Sequence, residues 1–117
     1  MRMQLGCRLT FSLPAPTPMI ILLNVHYSRA SDLERPDLLV TDPAGPLEAY
    51  RDGFGNWCTR LVAPAGQMTI STDGVIRDNE LSDPVGHEAQ QHPVDQLPGD
   101  TIAFLLPSRY AESDYIY

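Results

Sequence analysis

Gly55-Asn-Trp-Cys58 places a thiol beside an aromatic residue, as around the nucleophile of thiol enzymes. A thiol nucleophile needs an imidazole or a helix N-terminus beside it to generate thiolate. The histidines are His26, His87 and His92, and the pattern around Cys58 is that of a strand. Cys58 is therefore expected to be a packed, inert thiol. His87-Glu-Ala-Gln-Gln-His92 approaches the zinc-peptidase helix signature, whose histidines stand four apart on one face. A spacing of five turns them about 140° apart around a helix, and Pro93 follows at once. No shared metal and no cofactor are expected. Ser31-Asp-Leu-Glu-Arg-Pro-Asp37 lacks the ligand spacing of a calcium loop and is expected to be solvated surface.

Asp52-Gly-Phe-Gly-Asn56 is the sharpest local signal. Asp52 is expected to bond backbone amides across a turn. Gly53 and Gly55 offer the positive-φ positions that a hairpin loop uses, and Asn56 closes it. Phe54 then stands at the loop tip, where an aromatic side chain suits contact with a partner.

The elements that must carry this loop follow from periodicity. Met3, Leu5, Cys7, Leu9, Phe11 and Leu13 alternate with polar residues, which predicts a strand with one buried face. Pro14-Ala-Pro-Thr-Pro18 interrupts ladder bonding and turns the chain. The apolar run from Met19 predicts a strand reaching towards Tyr27 and buried on both sides. Ser28 to Asp37 is a polar connection, and Leu38 to Asp42 a short strand. Strands are expected again at Leu47–Arg51, at Asn56–Val62 and from Met68 to Arg77, with Gly74 suited to a bulge. Residues 79–100 are polar and proline-rich, and form an irregular arm beyond a core of residues 1–78. Residues 101–117 make a C-terminal extension, in which Asp100 caps one helical turn carrying Ile102, Leu105 and Leu106. The fold class expected is all-β: an antiparallel β-sandwich of about six or seven short strands with a C-terminal helical turn.

A chain of 117 residues suits one domain. Its basic side chains are all arginine, and the net charge is −7. Such a surface repels phosphate backbones and anionic lipid, so neither nucleic acid nor a membrane is an expected partner. Cys7 and Cys58 are too few for a disulfide framework, and two reduced thiols fit a cytoplasmic protein. The five-residue apolar run Met19–Leu23 is too short for a signal peptide core or a membrane helix.

Asp52-Gly-Phe-Gly-Asn56, then a strand, Pro64-Ala-Gly66, Met68-Thr-Ile70 and Val75 together resemble the N-terminal region of bacterial transglutaminase-like proteins. Pro16-Thr-Pro18 and Leu105-Leu-Pro-Ser-Arg-Tyr110 extend the resemblance over nearly the whole chain. It implies a β-sandwich that precedes a papain-like catalytic domain of the transglutaminase and cysteine-protease class. The family's Cys, His and Asp motifs lie beyond the Ser-Arg-Tyr segment, so no catalytic residue carries over. What carries over is structural: Asp52, Gly55 and Asn56 at the turn, and Ser108, Arg109 and Tyr110 at the exit. The partner implied is the catalytic domain of the same parent chain. Ile102 to Leu106, Leu105 and Leu106 among them, with Tyr110, Tyr115 and Tyr117, would meet it, or would support a homodimer through the C-terminal region. The alternative is a free-standing sandwich that binds a protein or glycan through its hairpin loops.

Overall fold

The structure, a computed structural model, describes residues 1–109. Met1–Leu81 form one compact unit, and a second begins at Ser82. The first unit contains seven strands: β1 (Arg2–Leu13), β2 (Thr17–Ile21), β3 (Leu33–Arg35), β4 (Val40–Asp42), β5 (Glu48–Arg51), β6 (Trp57–Ala63) and β7 (Gly66–Arg77). They make two antiparallel sheets. In one, β7 lies between β1 and the short strands β3 and β4; in the other the order is β2-β6-β5.

Both sheets come from one bent ribbon. β1 pairs with β7 from Arg2↔Arg77 to Leu13↔Gly66, and β2 pairs with β6 from Thr17↔Ala63 to Ile21↔Thr59. The same two arms of chain thus build the two ladders in succession. At the bend, Pro14, Pro16 and Pro64 have no N–H to continue the ladder, so pairing breaks there. Gly66, at φ +102°, restarts it in a conformation that favours glycine. The bend brings the inner faces together. Phe11, Leu13, Met68 and Ile70 pack against Met19, Ile21, Leu61 and Ala63, with Leu23 and Leu39 from the connections. Ile70 is completely buried, and removing such a side chain from water contributes about 1.5–3 kcal/mol.

The expected all-β sandwich is the observed architecture, and the alternation of β1 and β7 follows the period-two pattern. Several local expectations fail for identifiable reasons. The strand expected from Met19 towards Tyr27 begins at Thr17 and ends at Ile21. It is an edge strand covered on one face only, with Ile20 59% exposed, and it tolerates Pro18 because an edge residue can lack an N–H. The connection after it contains a 3-10 helix (Tyr27–Asp32) and β3. Gly74 is not a bulge, since the β1–β7 register runs through Leu5↔Gly74 without a shift. A Cβ there would lie 2.9 Å from Asp37 Cβ and 3.1 Å from the Arg35 carbonyl, so close backbone approach selects glycine. The irregularity falls on β3, between Leu33 and Arg35.

In the second unit, 3-10 helices span Val94–Gln96 and Gly99–Leu105. Pro98, not Asp100, holds the cap position of the latter. The Thr101 amide and hydroxyl both donate to the Pro98 carbonyl, at 3.0 and 2.7 Å, which starts the helix earlier than expected. No helix among the described residues is long and apolar enough to cross a membrane.

Candidate functional site: the hairpin loop and its clamp

β5 and β6 pair as a hairpin from Glu48↔Arg60 to Arg51↔Trp57, and residues 52–56 close it. Asp52 organises the loop. Its Oδ1 accepts from the Phe54 and Asn56 amides, each at 2.9 Å, and its Oδ2 accepts from Asn56 Nδ2 at 2.9 Å. The Asp52 amide donates to the Asn56 carbonyl at 3.1 Å, and the Gly55 amide to the Asp52 carbonyl at 3.2 Å. The Asn56 side-chain amide, then the Asn56 and Phe54 backbone amides, hold the Asp52 carboxyl below the usual carboxylate range. Of the two glycines only Gly55 has positive φ, at +85°; the expectation for Gly53 fails because a single left-handed residue closes this loop.

A second segment clamps the loop from outside the hairpin. His26 Nε2 donates to the Phe54 carbonyl at 2.7 Å, so in the neutral ring Nδ1 is the acceptor. It accepts from the Ser28 hydroxyl at 2.8 Å and from the Ser28 amide. The Tyr27 amide donates to the Gly55 carbonyl at 3.2 Å. The Arg51 guanidinium lies 4.8 Å from the Tyr27 ring centre and 5.2 Å from that of Trp57. Each such contact contributes about 0.5–1 kcal/mol where exposed. Gly55 fits closely beneath the clamp: a Cβ would fall 2.2 Å from Tyr27 and 2.7 Å from His26 Nε2. Phe54 remains 66% exposed at the tip.

Cys58, opposite Tyr50 in the ladder, is 3% exposed. Its polar neighbours are acceptors, Asp52 Oδ2 at 3.9 Å and the Asn56 carbonyl at 3.8 Å. No base faces the thiol, since both of these neighbours only accept from it and His26 has committed both ring nitrogens to the loop and to Ser28. The arrangement supplies packing and loop stiffness. Beside it opens a cleft of about 330 Å³, walled by Trp57, Leu38, Leu39, Leu47 and Ala49, with Asn24 and Asp37 at its polar side. Those polar groups largely serve each other and the backbone: Asn24 donates to the Asp37 carbonyl, and Asp37 Oδ2 accepts from the Val25 amide at 2.6 Å.

The structure thus gathers Asp52, Gly53, Phe54, Gly55 and Asn56 into one loop. The remaining interface candidates lie in the second unit. Leu105 and Leu106 are 54% and 69% exposed, and Ser108 and Arg109 are also exposed. Tyr110, Tyr115 and Tyr117 lie outside the described residues. His87 lies in a turn and His92 in irregular chain, so the five-residue spacing does not sit on a helix. Among the described residues no three His, Cys, Asp or Glu side chains are grouped to hold a metal ion. Sequence reasoning missed the clamp of His26, Tyr27 and Arg51. Its one local signal is the arginine flanking the loop, and nothing near His26 announces a bond to residue 54.

No protein-family model, no curated protein and no solved structure matches the chain.

Proposed function

We propose that the chain is a non-catalytic β-sandwich module of the kind found N-terminal to the catalytic domain of transglutaminase-like cysteine proteases and acyltransferases. Its role is to support or orient that domain, its partner in the same parent chain. The observation that carries this reading is the stiff loop 52–56, held from both sides, with Phe54 66% exposed at its tip. A preorganised loop presenting an aromatic side chain binds a partner surface without a large ordering cost. The exposed Phe104, Leu105 and Leu106 of the second unit suit the same use. Buried Cys58, flanked by a carboxylate, supports a packing role for that thiol. The two thiols are unpaired, as a reducing cytoplasm keeps them.

The experiment is to read the coding sequence past the codon for Tyr117. Where Cys, His and Asp motifs follow, the downstream domain is expressed separately and its binding to this chain is measured by calorimetry. Phe54→Ser is expected to weaken binding at least tenfold, and equal affinity for both forms would remove the loop from the interface. A stop codon at that point would instead favour a free-standing module that binds protein or glycan through the same loop. Self-association of the isolated chain that is abolished by Leu105→Ser with Leu106→Ser would assign the C-terminal segment to a homodimer.

A further inference from the structure

Among the described residues the longest strand at a sheet edge is β1, twelve residues that pair there with β7 alone. The other edges are short, or broken by Pro18 in β2. Proteins blunt long edges with lysine, proline, bulges or inward-pointing charge. β1 carries Arg2 and Arg8 on its solvent face but no lysine, proline, bulge or inward charge: its register against β7 is uninterrupted, and its core-facing residues are all apolar. The orientation of its backbone follows from one pair. Met1 and Asp78 exchange both backbone bonds, with the Met1 amine donating at 3.0 Å and the Asp78 amide at 2.8 Å. Hydrogen-bonded pairs alternate along an antiparallel ladder, so Met3, Leu5, Cys7, Leu9 and Phe11 bond to β7. The amides and carbonyls of Arg2, Gln4, Gly6, Arg8, Thr10 and Ser12 therefore face outward. Among the described residues no other backbone group bonds to them.

We propose that this edge pairs with the same edge of a second copy, joining two chains through antiparallel β1–β1 pairing into one continuous sheet. The sequence of β1 is self-complementary in one register. Keeping both core faces on the same side requires residues of equal parity to stand opposite each other. Two registers of that kind give the longest overlap. One sets Arg8 against Arg8 of the second copy, and like charges directly opposite are unfavourable. The other centres on Cys7 and pairs Met3 with Phe11, Leu5 with Leu9, Gln4 with Thr10 and Gly6 with Arg8. It places the outward-facing residues in hydrogen-bonded pairs, as their orientation demands. It also explains Leu9, which is 37% exposed although it lies on the core face: Leu5 of the second copy would cover it. β1 itself contains no acidic residue, so no two carboxylates stand directly opposite each other across this contact.

In that register the two Cys7 residues form a non-hydrogen-bonded pair at the two-fold axis. Their Cα atoms would be about 4.5 Å apart, within the range a disulfide spans. The test uses the full chain carrying Cys58→Ser, so that Cys7 is the sole thiol. Under reducing conditions, sedimentation is expected to give twice the 13.0 kDa chain mass. Oxidation with copper-phenanthroline is expected to convert the dimer to a covalent one, each pair of thiols losing two protons and two electrons to the oxidant. Arg8→Pro removes an outward N–H and no bond to β7. It is expected to give a monomer with an unchanged circular dichroism spectrum and no covalent dimer. A wild-type chain that stays monomeric at high concentration would overturn the proposal. So would a dimer that folded Arg8→Pro retains, or one in which Cys7 does not cross-link.

Discussion

Gly55→Ala tests whether the clamp is what fixes the hairpin loop. At φ +85° an alanine is held in left-handed backbone, which costs about 1–2 kcal/mol. Its Cβ would lie 2.2 and 2.3 Å from two Tyr27 ring atoms and 2.7 Å from His26 Nε2, so the 26–28 segment must withdraw. Withdrawal breaks the bonds from His26 to the Phe54 carbonyl and from Tyr27 to the Gly55 carbonyl, at about 1 kcal/mol each. The total is about 3–4 kcal/mol, a large share of the roughly 5–15 kcal/mol that stabilises a typical domain. Urea unfolding followed by Trp57 fluorescence measures it. With a slope near 1.5 kcal/mol/M, the midpoint should fall by roughly 2 M. Gly53→Ala is the control, since nothing lies within 4 Å of its added Cβ and its φ is not positive. It should be neutral or stabilise by up to about 1 kcal/mol. Tyr27→Ala combined with Gly55→Ala should cost less than the sum of the single changes, because the deleted ring is the one the methyl strikes. Equal losses at Gly53 and Gly55, or strict additivity with Tyr27, would refute the clamp.

Acid should loosen the first unit through two carboxylates. Asp52 is lowered by the Asn56 and Phe54 amides, and Glu34 by Arg77 first and then Arg2. Both are lower when folded than when unfolded, so their stabilisation is complete above the ordinary carboxylate range and drains away as pH falls through and below it. Urea midpoints at neutral and acid pH should diverge less in Asp52→Asn than in the wild type, and identical acid slopes would remove Asp52 from the account. For Cys58, the remaining thiol of Cys7→Ser should react with a chromogenic disulfide only in denaturant, because it is 3% exposed. Reaction at the rate of a free thiol under native conditions would contradict its burial.

What the sequence made legible was local. The alternation of β1 survives in the structure because a ribbon bent into two layers gives each arm one inner face, and period two reports it directly. Asp52 was legible because its bonds reach only two and four residues along the chain. The run Met19-Ile-Ile-Leu-Leu23 misled, since hydrophobicity does not say which face is covered; Ile20, on the edge strand, and Leu22, just past its end, are 59% and 53% exposed. Gly74 and Gly55 look alike in sequence, yet one is fixed by the passage of Arg35 and Asp37 and the other by Tyr27. The bond from His26 to the Phe54 carbonyl spans 28 residues and leaves no mark near either end. Tertiary approach decided each of these, and a one-dimensional pattern has no access to it.

The bent ribbon also divides the labour along β6. Its C-terminal end, at Leu61 and Ala63, enters the packed core beside the proline bend. Its N-terminal end, at Trp57, borders the cleft, where Asn24 and Asp37 replace apolar side chains. Cys58 and Thr59 are buried as well, but the main apolar cluster stops at Leu61, short of the hairpin loop, so the loop draws little of its rigidity from that cluster. Hydrogen bonds from Asp52 and His26, with Arg51 set between Tyr27 and Trp57, supply it instead. The bonds that stiffen the loop are separate from the Phe54 side chain, using only its amide and carbonyl. That separation suits a surface whose task is to present a side chain to a partner.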